Sequence, residues 1–187
     1  MTAAALSQSV SARPHGETWF DGGTIAALAM RSLELELETW PKPGLVSHID
    51  NGSHDDMDAA LFRTSARTIA PYFAALVDSG AAGQGMGRLR VIGLEAEAAM
   101  MNATAGINTH RGAVFGLGLL CAAYGARAAG LAGPVTSLGT VVASLWGRSI
   151  LDGPILLHSH GARARRRYGS GGARMEAAQG FPNLYQI

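Results

Sequence analysis

The chain has 187 residues, 48% of them hydrophobic and 16% charged, with a net charge of +1. That is enough for one domain with a sizeable core, and it lacks the charge excess that nucleic acid or an anionic membrane surface demands. The single cysteine, Cys121, lies in an apolar run and excludes an internal disulfide, which points to a reduced, cytoplasmic protein. Aromatics are few, so the apolar share rests on Ala, Leu, Val and Met, which favours packed helices. Residues 1–20 read as a flexible leader without the basic start and apolar run of a signal peptide. Residues 21–187 read as one helical catalytic domain.

Asp21 or Thr24 can cap a first helix running to about Thr39. Its LELELE tract alternates like a strand, but the preceding IAALAMRS is helical in pattern and Leu, Glu, Ala and Met are good helix formers. Arg31, Glu34 and Glu38 then share a solvated ion-pair face. Glu36 falls on the opposite face, among Ile25, Ala29, Ser32 and Leu33, as an inward carboxylate. Pro41 and Pro43 end the helix and fix a turn around Lys42, either as a simple helix stop or as a rigid mount for a phosphate-binding lysine. The polar loop SHIDNGSHDDMD, Ser47 to Asp58, carries the turn signal Asn51-Gly52. Ser53, His54 or Asp55 can cap the next helix, which continues through Phe62, Ile69 and Leu76. Asp55, Asp56 and Asp58 in its first turn suit the helix dipole. A His beside paired acids in a Gly-bounded turn also suits acid–base work or a divalent metal.

After a glycine-rich connection at Gly80 to Gly87, a helix is predicted from Arg90 to Thr104. At about 100° per residue, Glu97 lies within about 60° of Leu94, Met100, Met101 and Thr104, so it faces inward while Glu95 points to solvent. An inward carboxylate needs a cation, a metal or hydrogen bonds. Gly106 breaks this helix, and Asn108 or Thr109 can cap a new one near His110. With Arg111 beside it, that helix start suits phosphate. Gly112 to Ala126 is the most apolar segment, too short for a membrane span and read as a central buried helix with glycines that let neighbours approach. Val135 to Leu151 is read as a further helix, broken by Asp152-Gly153-Pro154. The last stretch, His158 to Ile187, is rich in Arg; Arg163 to Arg167 is either a solvated face or a phosphate-binding run. Aromatics do not interleave with these charges, which speaks against nucleic acid. GSGGAR lacks the lysine and spacing of a P-loop. The expected architecture is all-α: a single-domain multi-helix bundle with a buried central helix.

Glu36 followed by PKPGLV, NGSHDDM at Asn51 to Met57, the Glu97 helix and ATAGINTHRG at Ala103 to Gly112 together resemble the triphosphoribosyl-dephospho-CoA synthase family. The likeness runs on through GLGLLCAA and into GGARMEAAQGFP. Ala99, where some members carry Asp, is closer to the malonate decarboxylase branch than to the citrate lyase branch. The resemblance implies an all-α fold and transfer of the triphosphoribosyl group of ATP to the 2'-hydroxyl of 3'-dephospho-CoA, with release of adenine. It also implies a further helical segment with an Asp-Thr-Asn motif and a downstream Arg-Gly-Gly, which this chain does not show. Activity of the chain by itself is therefore an open expectation.

Such a displacement passes through a sugar cation, which carboxylates stabilise. The resemblance thus assigns catalysis to Glu36, His54, Asp55, Asp56, Glu97 and His110. Mg²⁺ falls to Glu36, Asp56 and Glu97, and nucleotide binding to Lys42, Gly44, Ser53, Thr104, Asn108, Thr109, Arg111 and Gly112. ATP and 3'-dephospho-CoA are the implied partners, and a homodimer through the glycine-rich helices is a further expectation. One rival is a metal-dependent nucleotide phosphohydrolase built on His54-Asp55. Another is a truncated chain that binds ATP without turnover.

Overall fold

The computed structural model describes residues 10–12, 18–154 and 172–185. Among these residues seven helices form one all-α bundle, preceded by a short two-stranded ladder. Strands β1 (Val10–Ala12) and β2 (Thr18–Phe20) pair antiparallel, with Val10 opposite Phe20. The second strand is docked on the bundle. The Tyr124 hydroxyl accepts from Phe20 N at 2.7 Å. Trp19 packs edge-on against the Tyr124 ring and lies under the Arg127 guanidinium.

Helix α1 (Gly22–Glu38) starts at Asp21, whose side chain accepts from Thr24 N, and LELELE is its last part. Helix α2 (Ala59–Ala81) begins later than the sequence suggests. The cap is Asp58, which accepts from Leu61 N at 2.8 Å. Ser53, His54 and Asp55 are therefore loop residues, and Asp55 and Asp56 precede the helix instead of sitting in its first turn. Helices α3 (Met86–Ala103), α4 (Arg111–Ala128) and α5 (Leu138–Leu151) follow. The turn after α3 uses left-handed conformations at Ala105 and Gly106. Ser137 caps α5.

Helix α4 is apolar on all sides, as a helix surrounded by others must be, and Ala122, Ala123 and Ala126 on it are fully buried. It packs against α1, α2, α3 and α5. The closest approach is to α2. A Cβ on Gly80 would collide with the backbone carbonyl of Ala122, and one on Gly125 with that of Val77. The expected role of glycine in close packing thus falls on one residue from each helix. Ile69 and Phe73 of α2, Met100 of α3, and Val141 and Val142 of α5 complete the core.

Helices α6 (Gly172–Ala178) and α7 (Pro182–Tyr185) close against α5. Arg174 explains the docking: its guanidinium donates to the carbonyls of Ile150, Leu151, Gly153 and Pro154, which caps the C-terminal end of α5. The run Arg163 to Arg167 lies outside the described residues. Among the described residues no helix is long and apolar enough to cross a membrane.

Candidate functional site

The bundle runs up and down, so the C-terminal ends of α1 and α3 and the N-terminal ends of α2 and α4 meet at one pole. Two loops decorate that pole, residues 39–58 and 104–110. The first is folded tightly on itself. Gly52 has φ +60° and packs on the Gly44 and Leu45 backbone, leaving no room for a Cβ. The Ser53 hydroxyl donates to Gly44 O at 3.0 Å. Trp40 Nε1 donates to Asp50 Oδ2, and His48 N to Leu37 O. Gly44 and Ser53 therefore fix the loop. Between the loops lies a cleft of about 510 Å³ lined by Asn51, Asp55, Asp56, Thr64, Thr104 and Ile107 among others.

Glu36 is a correction. It is not an inward side chain: it is 51% exposed, because Leu37 takes the buried position one residue on. Its partner is the buried one. Lys42, 9% exposed, donates from Nζ to Glu36 Oε1 at 2.7 Å and to the Glu36 carbonyl at 2.8 Å. The PKPG turn folds lysine back onto the end of α1, where it also satisfies a terminal carbonyl.

Glu97 does face a partly enclosed environment, at 24% exposure, and its cation is Arg111, Nε to Oε2 at 2.8 Å. This ion pair ties the last turns of α3 to the first turn of α4. Glu95 is exposed, as expected. The N-cap position of α4 is His110, which makes no side-chain cap bond; Asn108, two residues earlier, accepts from Arg111 N at 3.2 Å through Oδ1. Thr109 does not cap: its hydroxyl donates to Ser65 Oγ at 2.6 Å. The Thr104 hydroxyl lies between the carbonyls of Met100 and Ile107 and holds the turn. Gly112 faces open space. It and Ala113 keep first-turn N–H groups that no intrahelical carbonyl can reach.

His110 is buried, packed edge-on against Phe62, and its Nδ1 lies 2.7 Å from Ser65 Oγ. Ser65 Oγ thus joins Thr109, which donates to it, and His110 Nδ1 in one buried hydrogen-bonded chain. Burial lowers the His110 pKa to about 4, opposed by the negative charge of Glu36. His110 is therefore neutral at pH 7. The same electrostatic reach brings Glu36 into one neighbourhood with His110. His54 is half-exposed at the cleft's edge, its Nδ1 3.8 Å from Asp56 Oδ1.

Among the described residues, no group of three or more His, Cys, Asp and Glu side chains is arranged to hold a metal ion. Glu36 and Glu97 each face a cation instead. A magnesium ion that arrives on a polyphosphate asks for less: one or two carboxylates, with phosphate and water oxygens filling the rest. Asp55 and Asp56, both on the cleft wall, fit that donor set.

Ser65 is the site residue that sequence reasoning misses. Its only signal is a small polar residue inside the apolar stripe of α2, fully buried beside Ala66 and one turn before Ile69.

Residues 23–187 match the family described as ATP:dephospho-CoA triphosphoribosyl transferase. A protein of Stutzerimonas stutzeri named as a probable 2-(5''-triphosphoribosyl)-3'-dephosphocoenzyme-A synthase is 40% identical over 174 residues, 87% of this chain and 57% of its own length. One of Pseudomonas aeruginosa with the same name is 43% identical over 168 residues, 86% of this chain and 56% of its own. One of Pectobacterium atrosepticum, named as the synthase outright, is 40% identical over 165 residues, 83% of this chain and 55% of its own. The chain thus spans little more than half the length of the curated relatives it matches. No solved structure matches it. The match extends over nearly all of the helical bundle and takes in every block that builds the pole: the chain belongs to the ATP:dephospho-CoA triphosphoribosyl transferase family.

Proposed function

We propose that this pole transfers the triphosphoribosyl group of ATP to the 2'-hydroxyl of 3'-dephospho-CoA, releasing adenine. The observation that carries the reading is convergence. Four blocks separated in sequence, around Glu36 and Lys42, His54 to Asp56, Glu97, and Asn108 to Gly112, meet at one end of a bundle whose family is named for this reaction.

The chemistry asks for stabilised positive charge at the ribose carbon, a base for the attacking hydroxyl and anchors for a triphosphate. Glu97 is the carboxylate we assign to the sugar cation, since Arg111 holds it in one orientation. Lys42, Arg111 and the free N–H groups of the α4 start are the triphosphate anchors. Asp55 and Asp56 take Mg²⁺, which supplies charge neutralisation on the phosphates when bound. Neutral His110 suits a hydrogen-bonding or basic role at pH 7 and not that of a charged acid. Ala99 favours a product destined for malonate decarboxylase over citrate lyase. A reduced compartment suits the buried thiol, and we place the reaction in the cytoplasm.

The test is adenine release from Mg-ATP by the purified chain and by a full-length relative, with and without dephospho-CoA. Adenine appearing only with dephospho-CoA is the expected result. Glu97→Gln should lower that release by about 100-fold or more while circular dichroism and the melting temperature stay within the wild-type range. Inorganic phosphate or a shortened nucleotide as the product, with no adenine, would instead indicate the phosphohydrolase.

A further inference from the structure

A second cavity, about 150 Å³ in volume, lies between α3, α4 and the end of α5, and it shares one residue with the site: Glu97. We propose that this cavity is the binding slot for the adenine base of the donor nucleotide. The inference rests on the transferase reading and adds to it where the leaving base sits.

The walls are apolar. Leu94 and Val114 stand on facing helices, with Phe115 beside them, and Gly93 leaves the space between α3 and α4 open. A cavity of this size with such a lining accommodates a planar aromatic ring. The polar groups stand at its two ends. Arg90 and Glu97 are seven residues apart on α3, two turns or about 10 Å along the axis. Arg90 closes the inner end: its guanidinium lies against Gly153, where a Cβ would collide with it. Arg174, beside it, is occupied by the α5 carbonyls. Arg90 can only donate hydrogen bonds and Glu97 can only accept them. The occupant therefore needs flat apolar faces and lone-pair nitrogens at the Arg90 end, with its sugar attachment at the Glu97 end. A purine base meets all three demands, whereas an aliphatic chain lacks the acceptors and a bare phosphate lacks the faces. Val114 and Phe115 follow Gly112 by less than one turn. A nucleotide entering base-first thus leaves its phosphates over the α4 start, with Glu97 beside the sugar.

Binding of adenosine, ATP, dephospho-CoA and inorganic tripolyphosphate to the full chain, measured by titration calorimetry, tests the slot. Gly93→Leu fills it: a Cβ at Gly93 meets only Val114 Cγ1, at 4.0 Å, and the change removes a helix-interior glycine. Arg90→Gln alters the inner end without filling the cavity. Each variant should weaken adenosine and ATP by about tenfold or more and leave tripolyphosphate unchanged. Unchanged ATP and adenosine affinity in folded Gly93→Leu would overturn the proposal. So would equal losses for tripolyphosphate, or losses for adenosine and dephospho-CoA with ATP unchanged, which would give the slot to the acceptor's own adenine. Adenosine binding that depends on Gly93, where neither this chain nor a full-length relative releases adenine, would keep the slot and remove the transferase reading.

Discussion

His110 shows how burial decides what a side chain can do. Its pKa falls from 6.5 to about 4 because the imidazole is desolvated, and Glu36 offsets only part of that. The unfolded chain then binds a proton that the folded chain refuses between those two values. Stability is therefore full above pH 6.5, drops by up to about 1.4 kcal/mol per pH unit as pH falls towards 4, and levels off below, a total of about 3 kcal/mol. Urea unfolding of wild type and His110→Gln at pH 7, 5.5 and 4.5 reads the effect, and the stability difference between the two should shift by that slope. Cys121 gives the opposite case, a thiol whose pKa burial pushes up to about 12. A thiol reagent should leave it untouched in the native protein and label it fully in urea. The sequence makes Cys121 legible because every neighbour is apolar. It leaves Glu36 ambiguous, since a rotation of one residue on the helix exchanges Leu37 for Glu36 at the core. It hides Ser65, whose role appears only when a residue 45 positions later folds against it.

Helix periodicity carries most of the fold, and α1, α3, α4 and α5 are all legible from apolar spacing and breakers. The start of α2 is not. Three candidate caps precede Asp58, and the choice falls to a loop held by long-range bonds such as His48 N to Leu37 O and Trp40 Nε1 to Asp50 Oδ2. Nor does composition reveal which glycines matter. Gly80→Ala or Gly125→Ala should each destabilise the protein by about 3 kcal/mol or more, because the added methyl meets rigid backbone and the helices must part. Gly87 lies near the start of α3, where a Cβ would meet nothing within 4 Å, so Gly87→Ala should stabilise by about 0.5–1 kcal/mol. Denaturant midpoints with unchanged m-values distinguish these outcomes from a change in the unfolded state.

The molecule gathers its chemistry at one pole and its tightest packing towards the other. Helices α2 and α4 run parallel: Ser65 lies beside His110 and Leu76 beside Gly118, while Gly80 and Gly125 mark the backbone crossing. Ser65 to Gly80 and His110 to Gly125 are each 15 residues, about 22 Å of helix. The pair behaves like a caliper whose pivot is a glycine contact and whose tips are a serine hydroxyl and an imidazole nitrogen. A wedge of one methyl at the pivot would spread the tips without touching any side chain of the candidate site. Where Gly125→Ala remains folded, its loss should therefore fall on turnover more than on nucleotide affinity, and the Ser65–His110 bond should weaken first, visible as a shifted His110 imidazole resonance. The geometry of the pole is thus set partly from a distance, by the absence of two side chains.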